Sequence, residues 1–139
     1  MPVYKGKVDV ETKGEVSLVD ITEQVRKVVA KSGIKDGLAC VFVAGATGAV
    51  TTIEYEPGLV EDLPDALERL FPKGIDYKHH IKWDDGNGHS HVRASFLKPS
   101  LTIPVVDGTL PLGRWQQIIF IELDVKPRKR SLVVQVVGE

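Results

Sequence analysis

The chain is 139 residues long, 42% hydrophobic and 27% charged, with 18 basic and 19 acidic residues leaving a formal net charge of −1. That composition excludes a collagenous, low-complexity or disordered chain, and a single cysteine excludes an internal disulfide framework or a cysteine-based zinc cluster. No apolar run approaches the roughly 18–20 residues needed to cross a bilayer, so no membrane association is expected. The balanced charge argues against a nucleic-acid partner, and an N-terminal segment without a leader's apolar stretch makes the cytoplasm the expected location. The balance hides a gradient. Residues 1–70 carry 8 basic and 12 acidic groups and residues 71–139 carry 10 and 7, so an anion site is better sought in the later half.

In chain order, Val8-Asp9-Val10 and Val16-Ser17-Leu18-Val19 alternate as short strands do. Asp20 and Glu23 then read as a capping box, and Ile21, Val25, Val28 and Val29 form the apolar stripe of a helix that Gly33 stops. Leu38 to Ala44 is nearly continuously apolar, as a strand covered on both faces would be. After the glycine-rich Gly45 to Ala49, Val50 to Tyr55 reads as another strand, broken at Pro57-Gly58. A second helix is expected over about Val60 to Phe71, with Leu63, Leu67 and Leu70 inward. Ile75 to Asn87 is polar and aperiodic, a long loop. His91 to Leu97 and Ser100 to Val105 resume strand character, Asp107-Gly108 is a tight-turn signal, and Trp115 to Leu123 and Ser131 to Val137 are the last strands. The expected class is α+β: one domain over 1–139, a mainly antiparallel, β-sandwich-like core of seven to nine strands with two main helices packed on it.

All four histidines, His79, His80, His89 and His91, fall within thirteen residues. Two apart on a strand, His89 and His91 would present two imidazoles on one face, and His80 across the loop would complete a three-nitrogen set of the kind that holds catalytic zinc. Asp84 and Asp85 are candidate acceptors that orient an imidazole, or ligands for a harder ion. The bland alternative is four loop histidines bonded to backbone and water, and His79 reads as surface. Glu54, at the end of a threonine-rich strand, is a candidate general base or a solvated acid. Thr47, Thr51 and Thr52 can hydrogen-bond a ligand or simply reflect strand propensity. Trp115 and Gln116 are a candidate stacking surface with an amide that reads a heterocycle's edge, or else a core or interface anchor. Arg128-Lys129-Arg130 can bind phosphate or serve as a solvated turn that protects a sheet edge.

These pieces occur in a recognisable order: the run Val41 to Pro57, His80 and His91 around Asp-Asp-Gly-Asn, Ser100-Leu101-Thr102-Ile103-Pro104, Leu112-Gly113-x-Trp115-Gln116, and Pro127-Arg128-x-Arg130. Together they resemble the YjbQ family, often named secondary thiamine-phosphate synthase, over nearly the whole chain. The resemblance implies a homotrimer with a histidine-lined site, sometimes metal-bearing, at or near a subunit boundary. It also implies a small phosphorylated metabolite as partner, and a reaction joining hydroxymethylpyrimidine diphosphate to thiazole phosphate with release of diphosphate. Carried over by position, Glu54, His80 and His91 would be catalytic and Trp115, Gln116, Arg128 and Arg130 would bind substrate; Thr51, from its place on the strand, is added as a substrate-binding candidate. His80, His89 and His91 would hold a divalent metal, with zinc expected and magnesium an option beside diphosphate. Two departures stand out: Gly45 where many members carry histidine, and Ile53 where they carry asparagine.

Overall fold

The computed structural model describes residues 2–139. Its elements in chain order are β1 (Val3–Glu11), β2 (Ser17–Asp20), α1 (Thr22–Ser32), β3 (Gly37–Val43), β4 (Gly48–Ile53), α2 (Pro57–Leu70), α3 (Lys78–Trp83), α4 (Gly88–Leu97), β5 (Ser100–Val105), β6 (Gln117–Glu122) and β7 (Lys129–Gly138). Every strand pair is antiparallel, and the strands form two open sheets, β1-β7-β3-β5 and β2-β6-β4. The α+β class is therefore as expected, with four helices rather than two. No helix among the described residues is long and apolar enough to cross a membrane.

Strand β6 explains how the layers stack. Its run Ile118-Ile119-Phe120-Ile121 is fully buried, and because side chains alternate across a strand, the two halves of the run enter different cores. Ile118 and Phe120 join Val41, Leu132, Val134 and the α1 stripe of Ile21, Val25, Val28 and Val29 in the core between the sheets. Ile119 and Ile121 join Leu67 of α2 and Ala94 of α4 in a second core on the other side. The small sheet is thus the middle layer, with the four-stranded sheet and α1 on one face and α2 and α4 on the other. Gly6 lets α1 approach β1, since a Cβ there would lie 2.5 Å from Val28 Cγ1.

Several expectations are corrected. Strand β3, expected to be covered on both faces, buries only Ala39, Val41 and Val43; Leu38 and Phe42 on its other face remain 49% and 41% exposed, because no layer lies outside the four-stranded sheet. The doubly covered strand is β6. Pro57 and Gly58 do not end structure but begin α2: Glu56 accepts hydrogen bonds from Gly58 N (2.8 Å) and Leu59 N (2.6 Å), and proline suits the first helical position. Leu70, expected inward, is exposed. At α1, Asp20 Oδ1 accepts from Thr22 N and from the Thr22 hydroxyl, but Glu23 faces Arg26 instead of closing a capping box. Asp107 and Gly108 form the expected turn, both at positive φ.

The larger correction concerns residues 75–97. A helix, α3, lies within the stretch expected to be loop, and the stretch expected to be a strand from His91 is helix α4. The burial of His89, Ser90, Arg93 and Ala94 follows helical spacing, so the apparent alternation from His91 to Leu97 was a coincidence of composition.

Because Ile119 is buried between β6 and the α2–α4 layer, Ile119→Ala should lower unfolding free energy by about 2–5 kcal/mol in urea titrations. A loss below 1 kcal/mol would contradict the middle-layer placement.

Candidate functional site

Helix α4 separates the histidines that a strand would have placed together. At about 100° per residue, positions 89 and 91 point to nearly opposite sides of a helix. His89 faces inward and is completely buried, its Nε2 2.6 Å from Glu15 Oε2. Glu15 also pairs with Lys73 and lies 3.9 Å from Arg93 Nη1, while Arg93 donates to Glu68 and to the Phe71 carbonyl. This cluster ties α4 to the β1–β2 connection and to the end of α2. Burial acts to raise the Glu15 carboxyl, but the bonds from Lys73 and His89 outweigh it and hold the group below its ordinary value.

His80 is likewise committed. Its Nε2 accepts a hydrogen bond from Gly88 N (2.7 Å), capping the first turn of α4. The ring centroids of His80 and His89 are 6.4 Å apart, and neither groups with His91 as a set of donors close enough to share an ion. The set His80, His89 and His91 is therefore not assembled in the chain.

A different set is. His79, which read as surface, packs against His91 in a tilted arrangement with ring centroids 4.5 Å apart, and its Nε2 lies 3.0 Å from Asp85 Oδ2. One donor atom from each of His79, Asp85 and His91 lies within 4.8 Å of the others. Two imidazoles and a carboxylate suit zinc or a similar divalent transition ion, whereas magnesium prefers an all-oxygen shell. Burial first, and then the neighbouring His79 charge, hold the His91 imidazole below its ordinary pKa, so His91 is neutral at neutral pH with a lone pair free. The other Asp85 oxygen accepts from Asn87 N (3.1 Å), which fixes the carboxylate's orientation.

Beside His91 is a cleft of about 200 Å³, lined by Gly45, Ala46 and Gly48 of the β3–β4 turn and by Ala94, Ser95 and Pro99. Behind the turn lies a buried polar network. Glu122 at the end of β6 accepts from Thr12 Oγ1 (2.7 Å) and from both Nε and Nη2 of Arg130, whose Nη2 also reaches Thr47 Oγ1 (3.0 Å). Asp124 accepts from Thr47 Oγ1 (2.9 Å), Arg128 Nη2 (3.0 Å) and Lys126 N (2.9 Å). Burial would raise its carboxyl, but these donors hold it below the usual carboxylate range. Arg130 is therefore an internal ion-pair partner, while the Arg128 side chain is half exposed. A Cβ on Gly45 would lie 3.1 Å from Arg130 Nη1, so the arginine occupies the space beside that residue.

The remaining predicted residues lie elsewhere. Thr51 is half-buried in the middle of β4, and Glu54 is exposed beyond its end. Gln116 accepts from Gly113 N (3.0 Å) and donates to Thr52 Oγ1 (3.3 Å), and Trp115 is 62% exposed with the Arg114 guanidinium 4.8 Å from its ring centre. β4 pairs Gly48 with Glu122 at the histidine end and Ile53 with Gln117 at the other. Five residue steps, roughly 17 Å, separate the two groups, and a single chain does not bring Glu54, Trp115 or Gln116 to the histidines. Sequence reading missed Glu122 and Asp124, although two acids ending an otherwise apolar strand were a legible signal of buried ion pairing.

A sequence profile described as UPF0047 protein YjbQ-like matches residues 6–139. A UPF0047 protein from Methanothermobacter thermautotrophicus is 40% identical over 139 residues, covering 100% of this chain and 95% of its own. Another from Archaeoglobus fulgidus is 39% identical over 125 residues, covering 90% and 94%. Among solved structures, a YbjQ-like protein of unknown function from Sulfolobus solfataricus P2 superposes with a TM-score of 0.94 at 38% identity, covering 99% of each chain. A hypothetical protein from Aeropyrum pernix K1 gives a TM-score of 0.90 at 36% identity, covering 97% and 98%.

Glu15 titrates lower in the folded chain than in the unfolded one, so its stabilisation is present above the unfolded value, about 4.3, and is lost as pH falls through the lower folded value. Glu15→Gln should cost roughly 1.5–3 kcal/mol at pH 7, and the gap from wild type should close toward pH 3. A gap that does not change with pH would contradict the ion-pair assignment.

Proposed function

The chain belongs to the YjbQ-like UPF0047 family, and we propose that it is a metal-assisted transferase of the thiamine-phosphate synthase type. In that reaction the ring nitrogen of thiazole phosphate attacks the methylene carbon of hydroxymethylpyrimidine diphosphate, and the carbon–oxygen bond breaks to release diphosphate. The observation that carries the reading is the convergence of His79, Asp85 and His91 beside a small, mostly apolar cleft. A divalent ion held by these three residues, zinc by the donor chemistry, would neutralise the charge that develops on the leaving diphosphate. The walls of Gly45, Ala46 and Gly48 admit a flat ring close to the backbone.

The homotrimer belongs to the same proposal. On the outer face of the four-stranded sheet Val3 and Leu38 expose apolar side chains at one end and Phe42 and Val133 at the other, with Lys5 and Gln135 in the row between. Glu54, Thr51, Trp115 and Gln116 join the reaction where a neighbouring protomer carries them to the histidine cleft.

One observation favours a second reading, binding of metal or a phosphorylated metabolite without efficient turnover. Arg130 is spent on Glu122, and Arg128 is shared with Asp124, so little uncompensated positive charge faces the cleft.

Purified protein supplied with both phosphorylated halves and Zn²⁺ should release diphosphate. His79→Ala and His91→Ala should each lower kcat by about 100-fold or more, while His80→Ala should act mainly on stability. Mixed assemblies of His91→Ala with Glu54→Ala chains should regain turnover that neither shows alone. Metal uptake without turnover in the wild type would select the second reading, and turnover unchanged in His91→Ala would remove the site assignment.

A further inference from the structure

Asn87 stands between the candidate metal donors and the buried acids, and it makes four hydrogen bonds while only 7% exposed. Its backbone N–H donates to Asp85 Oδ1 (3.1 Å), and its carbonyl accepts from His91 N (3.2 Å). Its side-chain Nδ2 donates to Asp124 Oδ2 (3.4 Å), and its Oδ1 accepts from Val125 N (3.4 Å). The backbone therefore sets two of the three donors, and the side chain docks that backbone on the turn after β6.

The side-chain contacts from this turn to Asp124 and Val125 come from this residue. Helix α3 is six residues long and buries none of them, and Ile81 and Trp83 on it are 79% and 63% exposed. From the α3 side the turn is met at Gly88 by the Tyr77 side chain and by His80 Nε2, which accepts from Gly88 N. On the other side of the cleft the same Asp124 oxygen accepts from Thr47 Oγ1, next to the lining residues Ala46 and Gly48. One carboxylate oxygen thus references both walls.

We propose that Asn87 is a positioning residue for the His79–Asp85–His91 site, and that it acts through its amide contact with Asp124. The amide is required because it offers a donor to the carboxylate and an acceptor to Val125 N at once, which neither aspartate nor alanine can do. The inference rests on the site reading above and adds that the site's geometry is held from outside the donor set.

The test compares Asn87→Ala, Asn87→Asp, and the exchange Asn87→Asp with Asp124→Asn, which preserves both the amide–carboxylate pair and the net charge. Co²⁺ binding is followed by its visible absorption, and the His79 and His91 imidazoles by ¹⁵N–¹H correlation spectra without metal. Each single variant should weaken Co²⁺ binding about 10–100-fold, as expected for residues that orient metal ligands, and should shift both imidazoles. The exchange should restore binding to within about threefold and return the shifts. Wild-type affinity in Asn87→Ala, or an exchange variant as impaired as the singles, would overturn the proposal. Should the wild type take up no Co²⁺, the metal reading fails, and the imidazole spectra decide the positioning: shifts that move in Asn87→Ala and return in the exchange support it, and unmoved shifts overturn it.

Discussion

Two carboxylates at the end of a strand buried on both sides are the constraint on which the rest of the site depends. Glu122 and Asp124 are 0% and 1% exposed. A buried charge without a partner is too costly to keep, so each must be met by cations and hydrogen-bond donors. Meeting that requirement draws Thr12, Arg130, Arg128, Thr47 and Asn87 to one end of the small sheet. These residues come from four separate connections. Satisfying two acids therefore sets the relative positions of the β1–β2 connection, the β3–β4 turn, the α3–α4 turn and the start of β7. The net charge of this group is near zero, so it organises the site more than it attracts an anion.

Helix α4 divides the labour among the histidines. One face packs His89 against Glu15 inside the protein, and the other presents His91 to the cleft. His80 caps the helix and His79 reaches over to His91. Two of the four histidines thus hold the helix and two are left for chemistry. The same geometry explains why Asp85 is a donor: an αL residue at Asp84 and another at Gly86 turn the chain sharply enough to fold it beside His79.

The ends of β4 form the other organising contrast. The histidine cleft and the acid network occupy one end; Glu54, Trp115 and Gln116 occupy the other. A single chain keeps the two groups a strand's length apart. The outer face of the four-stranded sheet, carrying Leu38 and Phe42, is left uncovered by the chain's own elements.

The sequence by itself determined the class of fold, the α1 stripe from Ile21 to Val29, the Gly33 stop, most strands, and the clustering of all four histidines over residues 79–91. Those features are local: they rest on the period of apolar residues and on turn chemistry, which any short window displays. What it did not determine was the faces. His91 to Leu97 has the alternation of a strand, and the pattern of its own residues does not reveal the helix. The choice falls to the second core, where Ala94 and Leu97 pack behind β6. Once that segment is helical, His89 and His91 part, His79 replaces His80, and Asp85 joins. Likewise only the layer order shows that β6 is enclosed and β3 open, and hence that Glu122 and Asp124 are buried. Burial, partner and direction arise from contacts between residues far apart in the chain, so they were decided by the tertiary structure alone.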